Sequence, residues 1–193
     1  MTTPFLSALL IASCATTLPP YDYSKEPDPR KGEYVIGIGD GLRITVWKNP
    51  ELGADGHVRP DGTITMPLIG DLQAVSRTPS QLKADITRRL AAYVRDESAT
   101  VTVAVVEVIS YRFTVSGNVA HPGMFTSKFY VTVADAVALA GGPTRFASPE
   151  KTVIIRTDKA GTRRIPVNLT EIDSGEHPEQ NLVIISGDTV LVP

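Results

Sequence analysis

The segment Gly37-Ile38-Gly39-Asp40-Gly41-Leu42-Arg43-Ile44-Thr45-Val46-Trp47 joins a glycine-rich turn to a strict alternation of apolar and polar side chains. Leu42, Ile44 and Val46 recur every second residue, opposite Arg43, Thr45 and Trp47. That period is the mark of a half-buried β-strand. The turn has an echo far along the chain: Ile38-Gly39-Asp40-Gly41-Leu42 returns as Ser186-Gly187-Asp188-Thr189-Val190, again leading into alternating apolar residues. Glycine tolerates φ > 0, and aspartate can bond the backbone N–H groups that follow it, so each copy reads as a tight turn. A repeated catalytic aspartate is the competing reading, but neither copy has a histidine or second acid at useful spacing.

Outward from that strand the chain divides into two compact units. A turn-rich stretch at Asn49-Pro50 and Ala54-Asp55-Gly56 leads to a short strand near Gly62 to Leu68. Thr78-Pro79-Ser80-Gln81 supplies an N-cap, a proline at the first helical position and a capping-box glutamine. The helix it starts places Leu82, Ile86, Leu90 and Tyr93 on one face; Arg88-Arg89 belongs to a solvated face. Thr100 to Val108, with Val101, Val103 and Val105 spaced by two, closes an α+β unit over residues 33–108. The second unit, residues 109–193, opens with a strand from Tyr111 to Val119, followed by the turn residues Gly117, Pro122 and Gly123. Thr132-Val133-Ala134-Asp135 starts a short helix that Gly141-Gly142-Pro143 stops. Thr152 to Arg156, Arg164 to Leu169 and Leu182 to Val192 read as strands, a pattern compatible with a β-grasp.

The N-terminus reads as an address. Met1 to Ser13 carry no charge and include the apolar run Phe5 to Ala12. A bilayer span needs roughly 20 apolar residues, so this run fits a secretory h-region instead. Residues 1–13 are therefore expected to be a signal peptide. Residues 14–32, with Pro19, Pro20, Pro27 and Pro29 and no aliphatic pattern, are expected to form an extended spacer.

Composition narrows the function. The 193 residues carry 19 Lys plus Arg against 21 Asp plus Glu, a net charge of −2, which gives no basic field for nucleic acid. One cysteine excludes an intrachain disulfide, and His57, His121 and His177 lie far apart in sequence. Gly37 to Gly41 is not a dinucleotide loop, since it precedes a strand where that fingerprint follows one. No GxxxxGK[ST], HExxH or GxSxG pattern occurs. No cofactor and no metal are implied. Trp47 alternates away from the apolar row, so it packs on a neighbouring unit or stacks on a sugar ring.

Two resemblances follow from these motifs. Ile11-Ala12-Ser13-Cys14 resembles the bacterial lipobox, which implies cleavage before Cys14 and acylation of its thiol and amine, hence stable membrane attachment. Ala15, not Asp, at the next position implies sorting to the outer membrane. Residues Tyr34 to Trp47, then Val58-Arg59-Pro60-Asp61-Gly62-Thr63-Ile64 and Met66 to Gly70, closely resemble the opening of the polysaccharide export domain of outer-membrane export lipoproteins. Val115 to Val119, His121-Pro122-Gly123, Ala138 to Gly142 and Ser186-Gly187-Asp188 are similar to the SLBB β-grasp domain. The family-motif positions are thus Gly39, Asp40, Arg59, Pro60, Asp61, Gly62, Gly117, Pro122, Gly123, Gly141, Gly142, Gly187 and Asp188, all read as structural turn residues.

The resemblance implies a lipid-anchored, periplasm-facing component of Gram-negative capsule or exopolysaccharide export, with no enzymatic activity. It implies a homo-oligomeric ring that receives polymer from an inner-membrane copolymerase of the tyrosine-kinase type. Long family forms carry a second β-grasp unit and a C-terminal amphipathic helix that builds the pore. This chain ends on Val190 to Pro193 after one such unit, so a separate outer-membrane β-barrel is expected to complete the path. The competing readings are a saccharide-sensing lipoprotein that conducts nothing, and a polymer-trimming enzyme built on paired carboxylates such as Asp55 and Asp61.

Overall fold

The computed structural model describes residues 21–94, 100–158 and 161–193. Cys14 and residues 1–13, expected from the sequence to be a signal peptide, lie outside them. The first unit is built on an antiparallel sheet of β1 (Gly41–Val46), β2 (Ala54–His57) and, from further along the chain, Val101–Glu107, in the order β2-β1-(101–107). The alternation in β1 does as expected: Leu42, Ile44 and Val46 are buried, while Arg43 and Thr45 face outward. A hairpin of β3 (Thr63–Met66) and β4 (Gly70–Gln73) buries Ile64, Met66 and Leu72 in the same core.

Helix α1 (Pro79–Leu90) closes that core with Leu82, Ile86 and Leu90. Its start is the expected capping box: the Gln81 N–H donates to the Thr78 hydroxyl at 3.2 Å and the Thr78 N–H to the Gln81 side chain at 3.1 Å. The helix stops one turn earlier than the spacing suggested, and Tyr93 stands exposed beyond it. The third strand of the first sheet, Val101–Glu107, is β5.

The second unit carries a five-stranded mixed sheet. Its strands are β6 (Arg112–Gly117), β7 (Gly123–Thr126), β8 (Thr152–Asp158), β9 (Gly161–Val167) and β10 (Thr189–Val192), in the order β7-β6-β10-β8-β9. The first and last strands, β6 and β10, lie side by side and parallel, a pairing that needs a long crossover. Part of that crossover is α2 (Val133–Leu139), capped reciprocally by Thr132 and Asp135, with Val133, Ala136 and Val137 in the core. The molecule is an α+β chain: a small α+β unit followed by one β-grasp-like unit, each with its own core.

Several segments differ from the sequence reading, for physical reasons. Ala54–His57 was expected as turn and is strand, because β1 offers it a full antiparallel register from Gly41↔His57 to Ile44↔Ala54. Leu169, expected to end a strand, opens helix α3 (Leu169–Ser174), capped by the Asn168 side chain and stopped by Gly175 at φ 78°. Of Leu182 to Val192 only Thr189–Val192 is strand; Val183 makes one isolated bridge to Thr132. Gly123, expected in a turn, is the first residue of β7.

Residues 21–32 are the largest departure. Their prolines and mixed charges suggest a spacer, yet Tyr21 and Tyr23 pack against the second core, and the Tyr23 hydroxyl donates to the Pro166 carbonyl at 2.9 Å. Two short 3₁₀ turns, Tyr23–Lys25 and Pro29–Lys31, bend the segment; each is capped by the aspartate before it.

Candidate functional site

The two Gly-Asp turns converge on one place. Gly39 and Gly187 stand at φ 89° and 92°, in the left-handed region that favours glycine. Both aspartates are buried, Asp40 at 0% and Asp188 at 1% exposure. Each carboxylate accepts the N–H of the residue three positions earlier, Gly37 at 2.8 Å and Ile185 at 2.9 Å. Both glycines stand in turns, and within each turn the carboxylate reaches back along the chain, not forward as expected.

Between the turns runs the connector that joins β5 to β6. Asp40 Oδ1 accepts the N–H groups of Ile109 (2.9 Å) and Ser110 (2.8 Å). Its Oδ2 accepts the hydroxyls of Tyr34 (2.6 Å) and Ser110 (2.9 Å) besides Gly37 N–H. From the other side the Ser186 hydroxyl donates to the Ser110 carbonyl at 2.7 Å, and Gly187 N–H donates to the Arg112 carbonyl at 2.8 Å. The connector is therefore held by one turn from each unit. Gly37 is required here: a Cβ on it would meet the Ser110 Oγ at 2.2 Å.

Burial by itself pushes the Asp40 carboxyl up, but the hydrogen bonds from Tyr34, Gly37, Ser110 and Ile109 outweigh it and hold the group below the usual carboxylate range. The Tyr34 phenol moves the other way, driven up by burial and by donating to Asp40. An open groove of about 410 Å³ lies against this junction, lined by Tyr34, Ile38, Ser110, Tyr130 and Ser186 among others.

The second turn carries a buried ion cluster. Arg156 on β8 gives Nη2 to Asp188 at 2.6 Å and Nη1 to Glu26 at 2.9 Å, with all three side chains 1% exposed. Its Nε also reaches Asp188 at 3.0 Å, and Nη2 the Val183 carbonyl at 3.2 Å. Glu26 takes a second cation, Arg163, at 2.6 Å. Burial lowers the affinity of the Arg156 guanidinium for its proton; the bonds to Asp188 and the Glu26 charge overcome that and raise it. This cluster straps residues 21–26 to the second unit. Nothing local in the sequence announces it, since Glu26 and Arg156 are 130 positions apart.

Of the remaining motif residues, Gly117 ends β6 and Gly123 opens β7, while the others lie in turns and loops away from the junction. Asp61 accepts the N–H (3.0 Å) and hydroxyl (2.6 Å) of Thr63, with Gly62 at φ 82° beside it. Arg59 pairs with Asp61 at 2.7 Å and Asp71 at 3.3 Å, and Pro60 lies between them in the turn. Gly141 and Gly142, both at φ 81°, end α2, and Ala120 N–H donates to the Gly142 carbonyl at 3.0 Å, beside His121 and Pro122. Gly117 is the tightest: at φ 90°, a Cβ there would lie 2.1 Å from the Val192 carbonyl oxygen of β10.

The two carboxylates weighed for polymer trimming, Asp55 and Asp61, are engaged by separate partners. Asp55 on β2 is engaged by Arg43 at 2.8 Å, while Asp61 belongs to its own turn with Thr63 and Arg59. His57, expected in a turn, lies in β2 facing Glu107 at 3.1 Å. Among the described residues no three His, Cys, Asp or Glu side chains group to hold a metal.

Comparison with known proteins gives two domain matches in series. Residues 28–104 match the polysaccharide biosynthesis/export protein family, and residues 112–168 match the SLBB domain. The chain is 33% identical over 126 residues to the exopolysaccharide production protein ExoF of Rhizobium meliloti (strain 1021), covering 58% of this chain and 29% of that protein. It is 32% identical over 133 residues to the EPS I polysaccharide export outer membrane protein EpsA of Ralstonia solanacearum (56% of this chain, 35% of that one). With the capsule polysaccharide export protein BexD of Haemophilus influenzae it shares 24% identity over 174 residues (80% and 42%). In each case the matched region is less than half the length of the relative.

Proposed function

The chain belongs to the polysaccharide export family, an export domain followed by an SLBB domain, and from that premise we propose that it is a non-enzymatic component of capsule or exopolysaccharide export. The observation that carries this reading is the succession of the two family domains, each falling on its own hydrophobic core. The EpsA relatives, named as polysaccharide export outer membrane proteins, support a place at the outer membrane, and in this reading the chain faces the periplasm. In this reading Cys14 bears the lipid, residues 1–13 are removed, and residues 33–108 and 109–193 are the working units.

The clasped connector fits such a part. A ring of identical subunits closes through heterologous contacts, one face of each subunit meeting a different face of the next. If the two units of each subunit are held in one orientation, as the Ser110 N–H donating to Asp40 and the Ser186 hydroxyl donating to the Ser110 carbonyl hold them, closing one tier of the ring positions the other. A conduit for a moving polymer also favours weak contacts repeated by symmetry over one tight site. The near-balanced charge of 19 basic and 21 acidic residues suits that role. In this account polymer arrives from an inner-membrane copolymerase and leaves across the outer membrane.

Deletion of the gene, with complementation by the wild-type copy, tests the proposal. Secreted polysaccharide is expected to fall to background and return on complementation. Undiminished secretion by the deletion strain would overturn it.

A further inference from the structure

Among the described residues the outward face of the first sheet is open, and its side chains form a row. Directly opposite residues of an antiparallel pair share a face. Arg43 faces Asp55 on one side and Ala104 on the other, Thr45 faces Thr102, and Trp47 follows at the end of β1. Helix α1 and the buried residues of β1 occupy the opposite face. Trp47 is 67% exposed, so within this chain it is not the packing residue its position in the sequence allowed.

Two adjoining hollows include residues of this row. One, of about 600 Å³, is lined by Trp47 and Thr102; the next, of about 350 Å³, by Arg43 and Asp55. They share Thr45, Val46 and Pro50. From Arg43 to Trp47 the row extends roughly 13 Å at the strand rise, longer than a single sugar ring.

The platform is fixed before any ligand arrives. Trp47 N–H donates to the Thr100 carbonyl at 2.9 Å, and the Asn49 side chain donates to the Trp47 carbonyl at 3.2 Å. Lys48, next along, is held at φ 63°, a sparsely populated conformation for a residue with a side chain. Such backbone persists where surrounding contacts over-determine it, and it recurs at ligand clamps.

We propose that this face is a saccharide track, with the Trp47 indole stacking on the apolar face of a pyranose ring. Thr45, Thr102 and the Arg43–Asp55 pair meet the hydroxyl rim of the polymer. One flat aromatic in a field of hydroxyls and a neutralised ion pair matches a sugar, which is itself apolar on its faces and polar at its edge. A second copy of the chain fits less well, because it would have to bury that ion pair, and interface cores are depleted of charge. The exposed setting of the pair, with side chains 56% and 60% accessible, gives shallow contacts that a sliding polymer can leave.

This inference rests on the export reading for its ligand, and its test is independent of it. Trp47 is the only tryptophan, so its fluorescence reports on this face alone. The probe is a set of short oligosaccharides released by partial acid hydrolysis of the source strain's secreted polysaccharide. Saturable blue shift and protection from acrylamide quenching are expected. Calorimetry should show Trp47→Ala weakening binding about tenfold and Trp47→Phe keeping most of it. An emission unmoved by the oligosaccharides, or one that shifts with protein concentration alone, would overturn the track. If secretion requires the gene but Trp47→Ala binds like wild type, the track falls and the export reading stands. If the oligosaccharides bind at Trp47 while deletion leaves secretion intact, the reverse holds.

Discussion

Replacing Asp40 with asparagine removes a charge and one acceptor while leaving the shape of the side chain. Donors converge on the wild-type carboxylate from Ile109, Ser110, Gly37 and Tyr34. The amide oxygen does best at the Oδ1 position, where it keeps both backbone N–H groups of the connector. The amide NH₂ then faces Gly37 N–H, which loses its acceptor, while the Tyr34 and Ser110 hydroxyls can rotate to accept. A buried donor left unpaired costs about 1–3 kcal/mol, and bonds to a neutral acceptor are weaker than to a charged one. The sum is about 3 kcal/mol, or roughly 6–12 °C in Tm for a chain of this size.

Because the folded pKa of Asp40 lies below its ordinary value, its contribution is fully present above the unfolded value near 3.9 and is lost as pH falls through the folded one. Urea unfolding followed by far-UV circular dichroism at pH 7, repeated below about pH 4, reads both effects. The gap between wild type and Asp40→Asn should be wide at neutrality and narrow in acid. A variant within about 0.5 kcal/mol of wild type at pH 7 would refute the reasoning, since that is the range of an ordinary surface substitution.

Three further outcomes are expected. Glu26→Ala leaves Arg156 buried without one of its two acids and should destabilise by about 3–5 kcal/mol; trypsin cleavage at Lys25, Arg30 and Lys31 should accelerate as the strap lifts. Gly117→Ala puts a methyl 2.1 Å from the Val192 carbonyl and should lower Tm well beyond Gly142→Ala, whose Cβ meets open space and adds only backbone strain of about 1–3 kcal/mol. Thr78→Ala removes half of the α1 capping box and should lose about 1 kcal/mol by urea unfolding.

What the sequence makes legible is local. The alternation in Leu42 to Val46 and the capping residues of α1 and α2 depend on neighbours within a few positions, and each forms as read; both Gly-Asp copies are turns, but their carboxylates bond back along the chain instead of forward. What it hides is long-range. Ala54-Asp55-Gly56-His57 has no strand propensity of its own and becomes β2 only because β1 supplies its partner. Leu182 to Asp188 is apolar enough for a strand, yet much of it is spent on the turn that reaches Ser110. The junction is half legible: both turns are visible in sequence, but not that they close on the same connector. The strap is not legible at all, because prolines and mixed charges around Glu26 look like a spacer until Arg156 is brought to it.

Pulse-labelling the polymer with radioactive sugar and following it outward tests the central claim most directly. In a strain lacking this protein, label should enter polymer at first, then stay with the cell in the periplasm and fail to reach the medium. Label arriving outside at the wild-type rate would contradict a role in carrying the polymer out.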